Sequence, residues 1–554
     1  MLITRKEEQH KKLGASTSVW THGVAFCILA ALVLLATYKI LLAPGLVLYG
    51  DFLPYLTSEG LKNMHYTLWN AYGSFDNFER LPKFLYRYVL YFLVSALGFS
   101  HEAYFKILFV GTLFLAGALM YYFIYALIRR EISLSRSTAR NIALIAGVFY
   151  MFNPWCISRM HQQAFLMGYA LTPLVLWTLD AFQSSGKIKY ALIAAGALSL
   201  SAATPQYFVF NCLVSGLWLV FQLTTCRTGR QLWRSVRRAL VIYALVVLFS
   251  MYWIVPYVCA FLAGMELQPG YTLKPAVISL LSRNSTILNV IRLLATWSPR
   301  VSQAPEKLLP IWLVASFMLP ISAALSLLLN HRRRPVLFAS TLASIITFLA
   351  LGTNGPLPGL YMDLVLGRKF GWLFRGPNKW LGLLAFGYCL LVAFFLARCT
   401  VLSQRTLSQK WAFWKRAGWV VMVFIHVGAF AIYVFPTAHG FFTQAYIPAE
   451  IPSDIDRAYS YLEEHGFSRA FYLSLAHTFM GRLVDSGAVA ILDTVSSPIP
   501  AMSSFSPYAN LYYEYAHSLL QKSRTATFGK FLSVAGIDCL VYHHAIVNEW
   551  IYPC

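Results

Sequence analysis

Charge is scarce in this chain. Asp, Glu, Lys and Arg together make up 12% of 554 residues, about half of what soluble domains carry. With 58% hydrophobic residues, that excludes an ordinary soluble enzyme or binding domain. Acids are the rarer sign, 22 against 45 Lys and Arg, for a net charge of +23. From Pro436 onward, however, six Lys or Arg face ten Asp or Glu, so the excess positive charge belongs to the part before it. There it falls in short clusters between apolar runs, which is an orientation signal and not a nucleic-acid footprint. Nine Cys are scattered without CxxC or metal-type spacing, and Cys27, Cys212, Cys259 and Cys389 sit inside apolar runs as small hydrophobes. A Cys539–Cys554 pairing would require the tail to be extracytoplasmic. No cleavable leader is evident, and the first apolar run reads as an uncleaved anchor. Ionisable groups are nearly missing within the apolar runs: Asp180 lies near one end of its run, and His426 is the main exception. Ion-coupled transport, which places such groups at depth, is disfavoured.

What is present is a series of apolar runs of membrane-crossing length. They fall at 22–42, 103–128, 140–154, 162–183, 188–203, 205–224, 238–262, 307–330, 335–352, 378–397 and 417–436. Dyad alternation is absent, so the expected class is an all-α polytopic bundle of about eleven spans. Residues 129–140, 187–189, 227–238, 331–334 and 398–416 form short basic connections. The alternate ones contain Asn153-Pro154 or Thr204-Pro205, or are long, as at 263–306 and 353–377. A further apolar stretch, 84–99, is short, rich in Tyr and broken by Arg87. If it lies at the interface without crossing, every basic cluster shares a side with the basic N-terminus, as the positive-inside rule asks. The expectation is thus a multi-pass cell-membrane protein with residues 1–20 cytoplasmic, a membrane domain over 21–436 and a first outer loop at 43–102. Residues 437–554 follow as a small extracytoplasmic α/β domain. In it, Ser453-Asp454-Ile455-Asp456 reads as a helix start, 469–475 as a strand, and 528–535 followed by 538–543 as helix, turn and strand.

The first outer loop carries Tyr49-Gly50-Asp51-Phe52, Trp69-Asn70, and Asp76 with Glu79. Long irregular connections tend to be functional. Asp51 stands just past a span beside aromatic residues. It reads as a general base or metal ligand, or more plainly as a solvated loop acid or helix cap. The sequence leaves room for a divalent cation and names no metal or cofactor. Asp76, Glu79 and Trp69 are candidate acceptor or support residues in the same loop. A second stretch, Arg368 to Trp380, is basic although it falls on the outer side. Its cations either snorkel as anchors or bind an anion, and the anion a membrane offers is a lipid phosphate. In the second reading Arg375 grips phosphate oxygens in a fork, Lys379 adds a point charge, and Asn378 joins them behind the helix-starting Pro377. Arg159 and His161, after Asn153-Pro154-Trp155, are a third outer polar cluster, read either as acceptor or support residues or as part of the local structure.

Taken together, several motifs carry a resemblance. They are Gly50-Asp51-Phe52 after the first span, Trp69-Asn70, Phe152-Asn153-Pro154, and Phe374-Arg375-Gly376-Pro377-Asn378-Lys379 before a late span, with an α/β tail after it. The chain resembles the large GT-C-type membrane glycosyltransferases, the arabinofuranosyltransferase-like proteins in particular. That resemblance implies a polyprenyl-phosphate-linked sugar as donor and a glycan, lipid or protein acceptor outside the cytoplasm. It also implies an essential acid in the first outer loop, for which Asp51 is the matching position, and membrane lipids as partners. Gly376 stands where such sequences tend to carry an acid. A Trp-Trp-Asp-Tyr-Gly run is absent, which argues against an oligosaccharyltransferase catalytic subunit. A non-catalytic lipid-linked-glycan flippase, a scaffold or an inactive relative would share much of this pattern.

Overall fold

In the computed structural model, residues 2–47, 49–50, 81–224, 226–263, 274–296, 305–368, 370–404 and 412–438 are described, with short pieces between 448 and 547. Asp51, Trp69, Asp76 and Glu79 lie outside the described residues.

The body is a helical membrane bundle. It comprises α1 (Leu2–Leu42), α2 (Leu90–Ala96), α3 (His101–Glu131), α4 (Arg136–Phe152), α5 (Pro154–Ser158), α6 (Gln163–Ser185), α7 (Ile188–Ser201), α8 (Pro205–Leu223) and α9 (Gly229–Leu262). It continues with α10 (Pro275–Ser282), α11 (Ile287–Ile291), α12 (Trp312–Asn330), α13 (Arg334–Ala350), α14 (Pro358–Leu366), α15 (Leu381–Gln404) and α16 (Ala412–Ala438). Among the described residues, eight helices are long and apolar enough to cross a membrane. The shorter apolar helices Ile188–Ser201, Arg334–Ala350 and Val420–Pro436 occupy three further apolar runs of the sequence. Stretch 84–99 is instead broken into a π turn at Leu85–Val89 and the seven-residue α2, too short to span. Its Phe92, Leu93 and Leu97 are exposed, as suits a segment lying along an interface.

Helix starts follow from the local sequence. Ser100, Ser135, Asn153 and Thr228 each accept a backbone N–H with the side chain, satisfying donors a first turn leaves open. Pro154 and Pro205 stand in the first turn, where a missing N–H costs nothing. The centre is the segment Pro377–Ser403, whose most apolar stretch is almost wholly buried, whereas that of Gly229–Leu262 is mostly exposed and lines the outside.

The two ends of the bundle differ in chemistry. At one end Arg130 pairs with Asp180, Gln222 Nε2 donates to Asp180 at 2.7 Å, Arg333 reaches the Glu131 carbonyl and Arg238 that of Gln183. Three of the basic connections predicted to share a side, 129–140, 227–238 and 331–334, therefore lie at that end. At the other end lie the Asn-Pro and Thr-Pro turns and the segment before α15. The long connections at that end are not plain loops: α10, α11 and α14 form within them. His426, inside the bundle, bonds through Nδ1 with the Met422 carbonyl at 2.8 Å and packs against Phe395. It is a packing residue of the helix it sits on.

The tail contributes β2 (Ala470–Leu473), β3 (Gly481–Leu483), β4 (Val489–Ala490), β5 (Ala501–Met502), α17 (Thr525–Val534), β6 (Cys539–Tyr542) and β7 (Ile546–Val547). One sheet runs β5-β2-β6, all parallel. The other is joined by β1 (Tyr49–Gly50), in the order β1-β4-β3-β7. Tyr49 pairs in parallel with Val489 and Gly50 with Ala490. The residues that deliver Asp51 are thus one strand of a sheet otherwise made by the tail.

Candidate functional site

The site grows from an elbow. Asn153 ends α4 and starts α5, and its Oδ1 accepts from Cys156 N at 3.0 Å. Its Nδ2 donates to the Tyr150 carbonyl at 2.8 Å and to the Tyr169 hydroxyl at 3.0 Å. Tyr150 and Tyr169 stack at 3.9 Å, and each hydroxyl donates to the other's carbonyl. This buried network fixes the turn, because every polar group in it has a partner. The elbow then presents Trp155, whose Nε1 donates to the Asn378 carbonyl at 2.8 Å. It next presents Arg159, 3% exposed, with Nη1 donating to Gln162 Oε1 at 2.9 Å. His161 follows in the same turn, half-buried.

The facing segment is built as carefully. Gly352 has φ +56, a backbone state that side-chain-bearing residues rarely adopt. A Cβ there would also meet Ser282 Oγ at 2.6 Å and Pro377 Cγ at 2.9 Å. Asn354 Nδ2 donates to the Ser282 carbonyl at 2.7 Å, tying this turn to α10. Tyr361 of α14 donates its hydroxyl to the Phe374 carbonyl at 2.7 Å, and burial pushes that phenol above its usual range. Phe374, Trp380 and Phe210 stack in series, with centroids 5.7 and 4.1 Å apart. Between these supports runs Arg375-Gly376-Pro377-Asn378-Lys379, with Pro377 to Trp380 as a short 3₁₀ turn leading into α15.

Lys379 is the focal cation. Its Nζ donates to Gln206 Oε1 at 2.6 Å and lies 5.5 Å from the Phe165 ring centroid. Gln206 belongs to the first turn of α8, and Phe165 to the first turn of α6. Three helix starts therefore converge on one ammonium. Gly376 lets the Lys379 stem lie close: a Cβ there would stand 3.3 Å from its Cδ. Phe165 packs edge-on against Tyr207 at 4.7 Å. Gly382 and Gly168 leave room for that Tyr, since a Cβ on either would clash with it.

The structure thus brings the Asn378 main chain against Trp155 of the elbow that precedes Arg159 and His161, and Lys379 against Gln206 and Phe165, with Arg375 two residues before the Pro377 turn. Asn378 is buried, and its main chain makes the contact to Trp155. Sequence reasoning missed Gln206, Trp155 and Phe165 as members of the site. The Thr204-Pro205 turn was a signal for Gln206, as Pro154 was for Trp155. Nothing in sequence pointed to Phe165. Among the described residues, no group of three or more His, Cys, Asp or Glu could hold a metal ion. Chemically, the seam between the elbow and the Pro377 turn offers the Lys379 ammonium beside the Phe165 ring, at the end of the bundle opposite the basic connections.

No protein-family model and no curated protein matches the sequence. Solved structures do match in fold. The arabinofuranosyltransferase AftD from Mycobacteria aligns at TM-score 0.58 and 16% identity, over 86% of this chain and 31% of that one. A variant form of the same protein gives TM-score 0.55 at 15% identity, over 86% and 32%. ArnT from Cupriavidus metallidurans, bound to undecaprenyl phosphate, aligns over 94% of this chain and 90% of that one, at 12% identity and TM-score 0.44. This chain spans about a third of the length of the AftD structures, and the likeness is one of fold: a polytopic helical membrane bundle.

Proposed function

We propose that this GT-C-type bundle is a membrane glycosyltransferase. It moves a sugar from a polyprenyl-phosphate-linked donor to a glycan, lipid or protein acceptor outside the cytoplasm. The observation that carries the reading is the placement of Lys379. Its ammonium is held by Gln206 at 2.6 Å and faces the Phe165 ring, on a segment that also carries Arg375 and that is clamped through Asn378 to the elbow preceding Arg159. A membrane supplies one abundant anion at that level, the phosphate of a lipid, and a positive-inside chain has little other use for cations there. The end carrying Arg130, Arg238 and Arg333 is then cytoplasmic, and the tail is extracytoplasmic.

In the reaction, Asp51 takes the proton of an acceptor hydroxyl. That oxygen attacks the anomeric carbon and forms the new glycosidic bond. The bond from the anomeric carbon to the phosphate oxygen breaks, and the polyprenyl phosphate leaves with the electron pair. Lys379 and Arg375 stabilise the charge growing on the phosphate, with Asn378 seated between them in sequence. Fixed charges in a water-poor site often supply the largest share of catalysis. Asp76, Glu79 and Trp69 of the same loop are assigned to the acceptor side, and Arg159 and His161 support the phosphate side. Transfer from a panel of polyprenyl-phosphate sugars by purified protein tests the reading. Full transfer by Asp51→Ala would remove Asp51 from it.

The second reading is a lipid-linked-glycan flippase, a scaffold or an inactive relative. Gly376 favours it, because an acid at that position would have faced Lys379. Such a protein would bind the polyprenyl phosphate through the same seam and transfer nothing.

A further inference from the structure

Helix α9 has 34 residues, from Gly229 to Leu262. At 1.5 Å per residue it is about 51 Å long, against a hydrocarbon core of about 30 Å. Its first turns therefore reach past the apolar layer, at the end of the bundle where Arg238 meets the Gln183 carbonyl. Along one stripe of the helix, Leu240, Ala244, Leu248, Met251 and Val255 recur at steps of three and four residues and are exposed. Ile242, Val246, Ser250 and Trp253 are buried on the opposite side. The exposed stripe is thus the face that lipid tails cover. Carried toward the start of the helix by the same steps, it passes Arg237, Arg234, Trp233 and Arg230, all exposed.

Three guanidiniums therefore stand in line with the lipid-facing stripe, an indole among them, where tails give way to headgroups. Among the described residues, none of the three has a side-chain hydrogen-bond or ion-pair partner. Helix α9 contains no Asp or Glu, and Asp180 at the same end is engaged by Arg130 and Gln222. Cations in the first turns of a helix also oppose its dipole, so the patch is unfavourable until an anion meets it. The positive-inside bias accounts for the side on which these charges fall, but not for their alignment with the lipid face.

We infer that this stripe binds an anionic glycerophospholipid. The phosphate lies among Arg230, Arg234 and Arg237, the tails lie on Leu240, Leu248 and Met251, and Trp233 stands at the interface between them. A zwitterionic lipid brings an ammonium with its phosphate, which three cations without a counter-charge repel. A net negative headgroup brings only the charge they lack. The site lies at the end of the bundle opposite Lys379 and stands independently of the function proposed for that residue.

The test titrates the full chain in detergent micelles with phosphatidylglycerol and, separately, with phosphatidylcholine of the same acyl chains, counting bound lipid by native mass spectrometry. At low salt the wild type should prefer phosphatidylglycerol. The triple variant Arg230→Gln, Arg234→Gln, Arg237→Gln should lose roughly 100-fold in that affinity, about fivefold for each cation removed, with phosphatidylcholine binding unchanged. Arg234→Gln alone, expected at about fivefold, serves if the triple variant does not fold. Replacing the same three residues by Lys keeps the charge and should keep the preference. Arg332→Gln with Arg334→Gln, exposed cations of another connection at that end, should leave it as in the wild type. Equal wild-type affinity for the two lipids, or a preference that survives the three Gln substitutions, would overturn the site. So would an equal loss in the Arg332 and Arg334 variant, since total charge at that end would then select the lipid. Displacement of the lipid by a soluble acidic peptide at lower concentration would give the patch to a protein partner and overturn the site as well.

Discussion

The indole N–H of Trp155 donates to the main-chain carbonyl of Asn378 across 2.8 Å, joining residues 223 positions apart in the sequence. Both are buried. The bond clamps the Asn153 elbow onto the segment that carries Lys379. It uses Asn378's backbone and so leaves that side chain out of the clamp.

Trp155→Phe should therefore act through position. The ring volume is largely kept, but the Asn378 carbonyl loses one of two donors and keeps the Leu381 N–H, a net loss of about 0.5–1.5 kcal/mol. Thermal unfolding in micelles should shift downward, and polyprenyl phosphate affinity should fall with it. An unchanged melting curve and affinity together would show that the elbow and the basic segment are held by other contacts.

Asp51→Asn should separate chemistry from binding. Loss of a general base lowers turnover by about 10²- to 10⁴-fold. Affinity for a polyprenyl monophosphate should stay within a factor of about two, because the phosphate is held by the seam; a one-unit change in pKa or one tenfold step would already be about 1.4 kcal/mol. A variant that loses binding as well as turnover would place Asp51 on the donor side.

Arg375→Ala and Lys379→Ala should each weaken polyprenyl phosphate binding by about tenfold or more, as expected for one lost charge-assisted bond. The remaining affinity should depend less on salt than that of the wild type, since one screened cation is gone. Titrations at low and high ionic strength measure both effects.

Gly352→Ala combines a positive φ with a Cβ driven against Ser282 and Pro377. A destabilisation of about 1–3 kcal/mol is expected from backbone strain alone. Because Pro377 abuts this turn, donor binding should fall too, and a thermal melt with a binding titration reads both.

Orientation is tested by labelling. His161→Cys and Ser185→Cys sit at opposite ends of α6 or just before it. With Cys27, Cys226, Cys259, Cys539 and Cys554 replaced, a membrane-impermeant maleimide should label the first in intact cells and the second only after permeabilisation. The reverse pattern would invert the sidedness assigned to the seam.

Much of the bundle was legible in the sequence because lipid permits few solutions. Each apolar run had to close its own backbone hydrogen bonds as a helix, and each basic connection had to return to one side. Thus the cluster of Arg130, Arg238 and Arg333 follows from charge spacing alone. In the tail, the strand expected at 469–475 is found at Ala470–Leu473, and the one at 538–543 at Cys539–Tyr542, where apolar residues flanked by turns left little choice. The site was less legible. Lys379 was visible as a charge out of place, but its partner Gln206 lies 173 positions earlier and is one amide among many. Trp155 finds a carbonyl, a group that every residue carries, so no residue pattern marks the contact. Arg159 and His161 follow the Asn153 elbow in sequence, and only the Trp155 clamp ties that elbow to the segment of Lys379.

The pairing of Tyr49 with Val489 and of Gly50 with Ala490 also bears on how the protein is made. A chain leaves the ribosome from its amino terminus, so β1 is delivered early and must wait for β4 until nearly all of the membrane body has been inserted. The strand leading into Asp51 is among the last parts to find its partner. A nascent chain that has not yet reached β4 carries the helices and the Lys379 segment without this closure.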